Sequence, residues 1–491
     1  MLVRRKLVNI SELGNPNSRI VSLDFQRGIA IWLMTFLHTF EHVYDYNWVK
    51  ENPENVFDLP IYVLIIGLTV GFFASWNAYF LLISATVNSL SMTRKSLTGS
   101  DPKDIFIKQL ITGGGIYMVG IINDSFLYGG YFGVAIRTGD WSNTYPLWNG
   151  FFAMNTLQII ALCMMINGFI HYLLMRNNGH EKFKRNIAMY GFLVVLVVIF
   201  SPLIHNLVDN LPWEASTYIP PELGLGDYTK WPNVVLQANN ASFKTFILTI
   251  LAGDMEPLFP YLATSFAGSM VGLALARPKP IRKLPLIGGL SSLGIMGLGG
   301  MFLALGFFTM GNNRPALGNY LLMLGGQLGA IFIFLWLVEY RGRVKKFAER
   351  KIVKHFRFWS IISLSVYCLA IIELLPRKIF GVIYNLIFSA EYNFMHTSLF
   401  GYGEELHALT MAVTVILFFE MVLYYWSKIN FKFSFEWFII GSAALKTKKR
   451  SSRLNVKHIL DEVIWYNPKV ILDLPEVVIQ KEEPDVHNQL R

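Results

Sequence analysis

Charge is what this sequence most lacks: Asp, Glu, Lys and Arg supply 15% of its 491 residues, against 53% hydrophobic ones. A water-soluble domain needs roughly 25% charged residues to coat its surface, and a disordered chain needs more, so both classes are excluded. Cysteine is scarcer. Cys163 and Cys368 are the two in the chain, each inside an apolar run, which leaves no disulfide framework and no cysteine-rich metal site. The first apolar run follows some twenty polar residues and has no small-residue cleavage site, so it is expected to stay in the mature chain.

What is abundant points to a bilayer. A mean hydropathy of +0.41, with 39 glycines, 38 phenylalanines and 12 tryptophans, suits packed transmembrane helices with aromatic belts. Apolar stretches near 20 residues are needed to cross the hydrocarbon as helix. Such stretches occur over 24–45, 74–93, 104–122, 150–174, 185–207, 257–276, 285–309, 317–339, 358–380 and 404–426. The expected fold is therefore all-α: a polytopic integral membrane protein of about ten transmembrane helices with both termini cytoplasmic. Placing the N-terminus inside a cell membrane puts 36 of the 43 Lys and Arg on the cytoplasmic side, as the positive-inside bias requires. The net charge of +10 is thus topology, and no nucleic-acid partner is expected.

Residues 1–23 read as a cytoplasmic segment, 24–426 as the membrane domain, 427–445 as an interfacial segment and 446–491 as a polar cytoplasmic tail. The stretches 58–93 and 243–276 are each too long for one span, yet splitting either would invert the basic residues that come after it. Each is expected to be one span plus a half-buried piece near the outer face. Residues 341–358 carry Val344, Phe347, Ala348 and Ile352 on one helical stripe among eight basic residues, which predicts a loop resting on anionic headgroups.

The first apolar stretch holds the chemistry. Ionisable groups inside a span are functional candidates because burying them is costly, and this one carries Asp24, Arg27, His38, Glu41, His42 and Asp45. At the α-helical repeat all six fall within an arc of about 100°. Arg27 and His38 are separated by about 16 Å of axial rise, which would set a guanidinium at the cytoplasmic mouth and an imidazole near mid-membrane. Histidine takes a proton from an attacking hydroxyl or amine, neighbouring carboxylates fix its tautomer, and arginine binds phosphate or carboxylate as a planar fork. The same stripe would equally serve as an interhelical hydrogen-bond network. His38 to His42 also match the H-x-x-E-H pattern of zinc peptidases. That pattern leaves Arg27 unexplained and needs a third ligand from Asp254, Glu405 or His407, so no metal is expected.

The string SLDFQRGIAIWLMTFLH, with Asp24, Arg27, Gly28 and His38, resembles the first membrane helix of the transmembrane acyltransferase superfamily. That group includes bacterial sugar O-acyltransferases and the heparan-α-glucosaminide N-acetyltransferase family. Residues 76–92, 147–162 and 253–275 resemble further helices of the family in order, and 431–439 resembles the C-terminal end of related bacterial membrane proteins. Two departures stand out: Ser84-Ala85 replaces a usual Ser-Gly, and the lysosomal-type enzymes have asparagine where this chain has His38.

The resemblance implies transfer of an acyl group, most simply acetyl, from cytoplasmic acyl-CoA to a carbohydrate or other hydroxyl or amine acceptor. It implies His38 as catalytic base with Glu41 beside it. Arg27 and Asp24 would lie at the acyl-donor site, with Arg94 and Lys95 near the CoA phosphates. Asp45, His42, Asp254, Glu256 and Gln158 are the candidate acceptor contacts, and Tyr128, Tyr131, Trp141, Tyr145 and Trp148 offer ring faces to a sugar or to the interface. The expected partners are the bilayer, acyl-CoA, the acceptor and, as a homodimer, a second copy of the chain. The rivals are a proton-coupled or solute transporter using the same stripe and a non-catalytic membrane module.

Overall fold

Residues 18–45, 61–62, 64–65, 77–211, 242–253, 256–307, 314–396, 398–401, 403–447 and 454–473 are described by the computed structural model. Among them the secondary structure is helical, with no strand beyond two isolated bridges. Among the described residues seven helices are long and apolar enough to cross a membrane, and an eighth crossing arises if a bent pair is counted as one.

The helix of the first predicted span, α1 (Val21–Val43), is long enough but too polar to belong to that apolar set. Its environment explains how it tolerates this. Fourteen of its 23 residues are buried, and it contributes to two large cores and, through Val21 and Phe25, to a smaller third cluster. Ile20, just before it, with Leu23 and Ala30 enters one core; Ile31, Met34, Phe36 and Val43 enter the other. A helix enclosed on both sides meets protein partners for its polar groups and little lipid.

After α1 come α2 (Asn77–Leu97), α3 (Pro102–Phe126), α4 (Tyr131–Thr138), α5 (Tyr145–Phe152), α6 (Thr156–Met175), α7 (Phe183–Asp209), α8 (Phe243–Ala252), α9 (Leu258–Ala276), α10 (Leu284–Ala304) and α11 (Leu317–Leu335); α2 and α6 to α11 build the first core, and α3 packs along α6. Helix α9 is enclosed, with 83% of its apolar window buried, whereas α10 lies at the periphery with 17%. Small residues set the closest contact: a Cβ on Gly272 of α9 would stand 2.3 Å from the Thr86 carbonyl oxygen of α2, and Ser89 donates to the Ser269 carbonyl at 3.0 Å. Such close approach is how helices associate where no water drives them together. The region 243–276 comprises one short and one long helix, α8 and α9, as its excess length requires; most of 58–76 lies outside the described residues.

Helix α12 (Val344–Ala348) packs with Val21 and Phe25 of α1 in the small third cluster, while the second core gathers α13 (Lys351–Ile361), α14 (Ser363–Cys368), α15 (Leu374–Phe388), α16 (Glu405–Ser427) and α17 (Phe435–Thr447) around α1. The predicted span 358–380 is not one straight helix. Its two parts, Lys351–Ile361 and Ser363–Phe388, bend by 69° at Ile362, whose φ of −123° and ψ of 41° leave the helical region.

One further expectation is corrected. Val344 and Ala348 are buried and Phe347 packs edge-on to Phe25 at 5.1 Å, so the stripe expected to face headgroups faces α1 instead, because Val21 and Phe25 at the start of α1 offer it a drier partner. Ile352 alone of that stripe is exposed. Part of the polar C-terminal segment is docked: Arg19 N–H donates to the Ile464 carbonyl, Tyr466 N–H to the Arg19 carbonyl, both at 2.9 Å, and the Arg357 guanidinium lies 4.3 Å from the Trp465 ring.

Gly28 is the joint between α1 and α13. A Cβ there would fall 1.7 Å from the Phe356 carbonyl oxygen, a backbone atom that cannot turn aside. Gly28→Ala is expected to lower stability by about 3 kcal/mol or more through forced separation of the two helices. Thermal unfolding in detergent measures it, and a melting temperature equal to wild type would contradict the close packing.

Candidate functional site

A cavity of about 190 Å³ opens beside the C-terminal half of α1. Met34, Thr35, His38 and His42 line it from α1; Asn123, Tyr128 and Gly129 from the end of α3 and the turn after it; Val366, Tyr367, Ala370 and Glu373 from the run beyond the bend; and Phe419 from α16. Met34, His38 and His42 recur at four-residue steps and Thr35 precedes His38 by three, so one helical face meets the cavity. His38 is about 26 Å along the axis from the start of α1 and about 8 Å from its end, nearer one end than the middle.

The best-organised pair in the cavity is His42 with Glu373. Nδ1 of His42 lies 2.8 Å from Glu373 Oε1, and the Glu373 side chain is 3% exposed. Glu373 Oε2 accepts from Thr39 Oγ1 at 3.2 Å, and Oε1 receives Arg377 Nη1 at 3.3 Å. Arg377 is wholly buried and is fixed by donating to the carbonyls of Phe394 and His396, each at 3.0 Å, and to Tyr128 Oη at 3.2 Å. Tyr128 in turn stacks on the His42 ring at 4.4 Å, with the Arg137 guanidinium 4.6 Å from the Tyr128 ring centroid.

An ionised carboxylate can only accept, so Glu373 assigns the proton to Nδ1 and leaves the Nε2 lone pair of His42 as a base. This is the carboxylate–imidazole half of the familiar nucleophile-activating triads. His38 is less constrained. Its Nδ1 is 3.2 Å from Glu41 Oε2, but the two side chains are 42% and 35% exposed, and its ring runs nearly parallel to that of His42 at 6.2 Å.

The other residues read from the sequence lie elsewhere. Arg27 donates through Nε to Ser360 Oγ at 2.8 Å and through Nη2 to the Ser360 carbonyl at 2.9 Å. It is seven residues, about 11 Å, below the nearest α1 residue of the cavity, and the cavity lining does not include it. Asp24 takes two contacts from Arg19 at 2.9 Å. Arg94 is buried and donates to the Ser18 carbonyl at 2.6 Å, with Tyr466 against its face at 5.4 Å; Lys95 is half-buried in the next position. Asp45 follows α1, its N–H donating to the Phe400 carbonyl at 2.7 Å. Gln158 is buried and donates to Asp124 Oδ2 at 2.6 Å, a carboxylate also served by Asn123 and Asn155. Glu256 is buried and accepts from Thr156 at 2.9 Å. Asp254 lies outside the described residues. The structure therefore gathers His38 and His42 at one cavity, with Glu41 beside His38, and distributes the other described candidates among contacts away from the cavity lining. No group of three or more His, Cys, Asp or Glu that could hold a metal ion occurs among the described residues.

Glu373 and Arg377 escaped the sequence reading although the signal was present. They are an i,i+4 acid–base pair inside a predicted span, and the cost argument that singled out α1 applies equally to them. Arg377→Ala would leave the Glu373 carboxylate buried and two carbonyls without their donors, so a loss of about 3–5 kcal/mol is expected. The double variant Glu373→Leu/Arg377→Met should recover the part of the loss that comes from the unpaired buried carboxylate, while the Phe394 and His396 carbonyls stay without their donor. Chemical or thermal unfolding of the two variants checks this, and a loss for Arg377→Ala of under about 1 kcal/mol would mean that the pair is solvated.

No family model matches the chain, and no curated protein matches it significantly.

Proposed function

We propose that this chain is a membrane acyltransferase whose general base is His42, oriented by Glu373, acting in the cavity beside α1. The observation that carries the reading is a cavity-lining imidazole paired at 2.8 Å with a buried, arginine-braced carboxylate. In this account the chain has ten spans with both termini in the cytoplasm of a cell membrane, as the lysine and arginine distribution favours. The resemblance of α1 to the transmembrane acyltransferase superfamily supplies the reaction class: acetyl or another acyl group moves from acyl-CoA to a carbohydrate hydroxyl or amine.

The chemistry balances simply. Nε2 of His42 takes the proton from the acceptor O–H or N–H as that atom attacks the thioester carbonyl. The C–S bond then breaks, and the departing thiolate takes the proton back from the imidazolium to leave free CoA. Two nearby imidazoles, His38 and His42, offer a base to either of two acceptor positions. A cavity of about 190 Å³ has room for the acyl end of the donor and the reacting part of an acceptor, with the nucleotide left outside.

The test is release of free thiol from acetyl-CoA by purified protein, with glucosamine as the acceptor probe. His42→Ala is expected to lower the rate by about 10²–10⁴-fold with helix content unchanged, and Glu373→Gln to lower it by a comparable factor through loss of the orienting charge. Equal release by wild type and folded His42→Ala would refute the assignment. The chain of Glu373, His42 and Arg377 is also what an intramembrane proton relay requires. Proton flux into vesicles without acyl-CoA or acceptor, abolished by Glu373→Gln, would establish transport instead.

A further inference from the structure

The bend that brings Glu373 to His42 opens at Ile362, and a bend inside an apolar run leaves backbone groups unpaired on both sides of it. Both sides are met by charged side chains from distant parts of the sequence. On the α13 side, Arg27 covers Ser360, taking its hydroxyl at 2.8 Å and its carbonyl at 2.9 Å. On the α14 side, the Glu436 carboxylate of α17 accepts from the Leu364 N–H at 2.7 Å, from the Ser365 N–H at 3.2 Å and from the Ser365 hydroxyl. Ser365 Oγ closes the loop by accepting from the Phe435 N–H at 2.8 Å.

The signs are correct on each side. Helix carbonyl ends favour cations and helix amide ends favour anions, and charge-assisted hydrogen bonds are roughly twice as strong as neutral ones. Arg27 is itself steadied by Asp24, 3.8 Å away. Gly28, by admitting the Phe356 backbone, brings α13 within its reach. Downstream of the break, Val366, Tyr367, Ala370 and Glu373 reach the cavity in succession.

We infer that Arg27 and Glu436 are positioning residues: together they clamp the break between α13 and α14 open, and so set the rotation and height at which Glu373 meets His42. Without them the run 351–388 recovers helical hydrogen bonds across Ile362. Each residue added to a helix turns the downstream chain by about 100°, so straightening removes Glu373 and Ala370 from the cavity. Arg27 thereby takes a role different from donor binding. The clamp rests on the acyltransferase reading for its kinetic consequence alone.

The first test needs no activity. Cys163 and Cys368 are buried, so in an Ala370→Cys protein the introduced thiol is the one open to a small, charged methanethiosulfonate reagent in detergent. Adding Arg27→Ala or Glu436→Ala is expected to slow labelling by about tenfold, the signature of a shifted local equilibrium. Glu436→Gln, which keeps an acceptor for the two N–H groups, is expected to stay near the parent rate. If either alanine variant does not purify folded, Ser360→Ala and Arg27→Lys, which weaken the clamp by single contacts, take its place with intermediate slowing. Unchanged labelling in every clamp variant would overturn the inference.

The second test is kinetic, with acetyl-CoA and glucosamine as above. Arg27→Lys is expected to lower kcat by about tenfold while KM for acetyl-CoA stays within about twofold, because a displaced base loses transition-state stabilisation and not donor binding. A raised KM with unchanged kcat would assign Arg27 to the donor and overturn the clamp. Should wild type show no transferase activity, the labelling result still decides the clamp, and the failure then belongs to the proposed reaction.

Discussion

Glu373 sits where water is largely excluded, and a carboxylate in such a place persists only if the protein supplies donors in place of solvent. Much of the structure around it stems from that requirement. Thr39 and His42 come from α1 and Arg377 from the following turn of its own helix. Arg377 is anchored to the carbonyls of Phe394 and His396, so the connection between α15 and α16 is tied to the same charge. Tyr128 joins the group from beyond α3. One acid thus holds four separate parts of the chain in register, and the cavity is the space they enclose.

The second requirement is that α1 carry polar groups through the bundle without meeting lipid. It does so by lying between two cores, with hydrophobic residues directed into each and its ionisable residues paired along its length: Asp24 with Arg19, Arg27 with Ser360, His38 with Glu41, His42 with Glu373. Close approach of α13 at Gly28 is part of the same design, since a methyl group there would displace a backbone carbonyl. The Arg27-Gly28 pair that marks α1 in the sequence therefore has two mechanical consequences at adjacent positions: one residue admits the neighbouring helix and the other ties down its end.

Residue placement corrects the simplest reading of α1 as a single lined passage. Angular coincidence at the helical repeat puts Arg27 and His38 on one face, but a face several turns long can meet different neighbours at different heights. Near Arg27 the neighbour is the end of α13; near His38 and His42 it is the run beyond the bend. The H-x-x-E-H string divides in the same way, with His38 and Glu41 pairing with each other and His42 turning to Glu373.

Local properties were legible from residue order: the apolar runs, their helical form, the excess length of 243–276, and the polar stripe of α1. Each depends on neighbours within a few turns, and hydrophobic run length or helical periodicity records it directly. What only the tertiary structure decided is which charges meet. His42 pairs with a carboxylate 331 residues away and Arg27 with a serine 333 residues away, and the bend at Ile362 is held by a glutamate some 70 residues beyond it. No periodicity encodes such encounters. They arise because a buried charge accepts whichever partner the packing of distant helices delivers, and that packing is a property of the whole bundle.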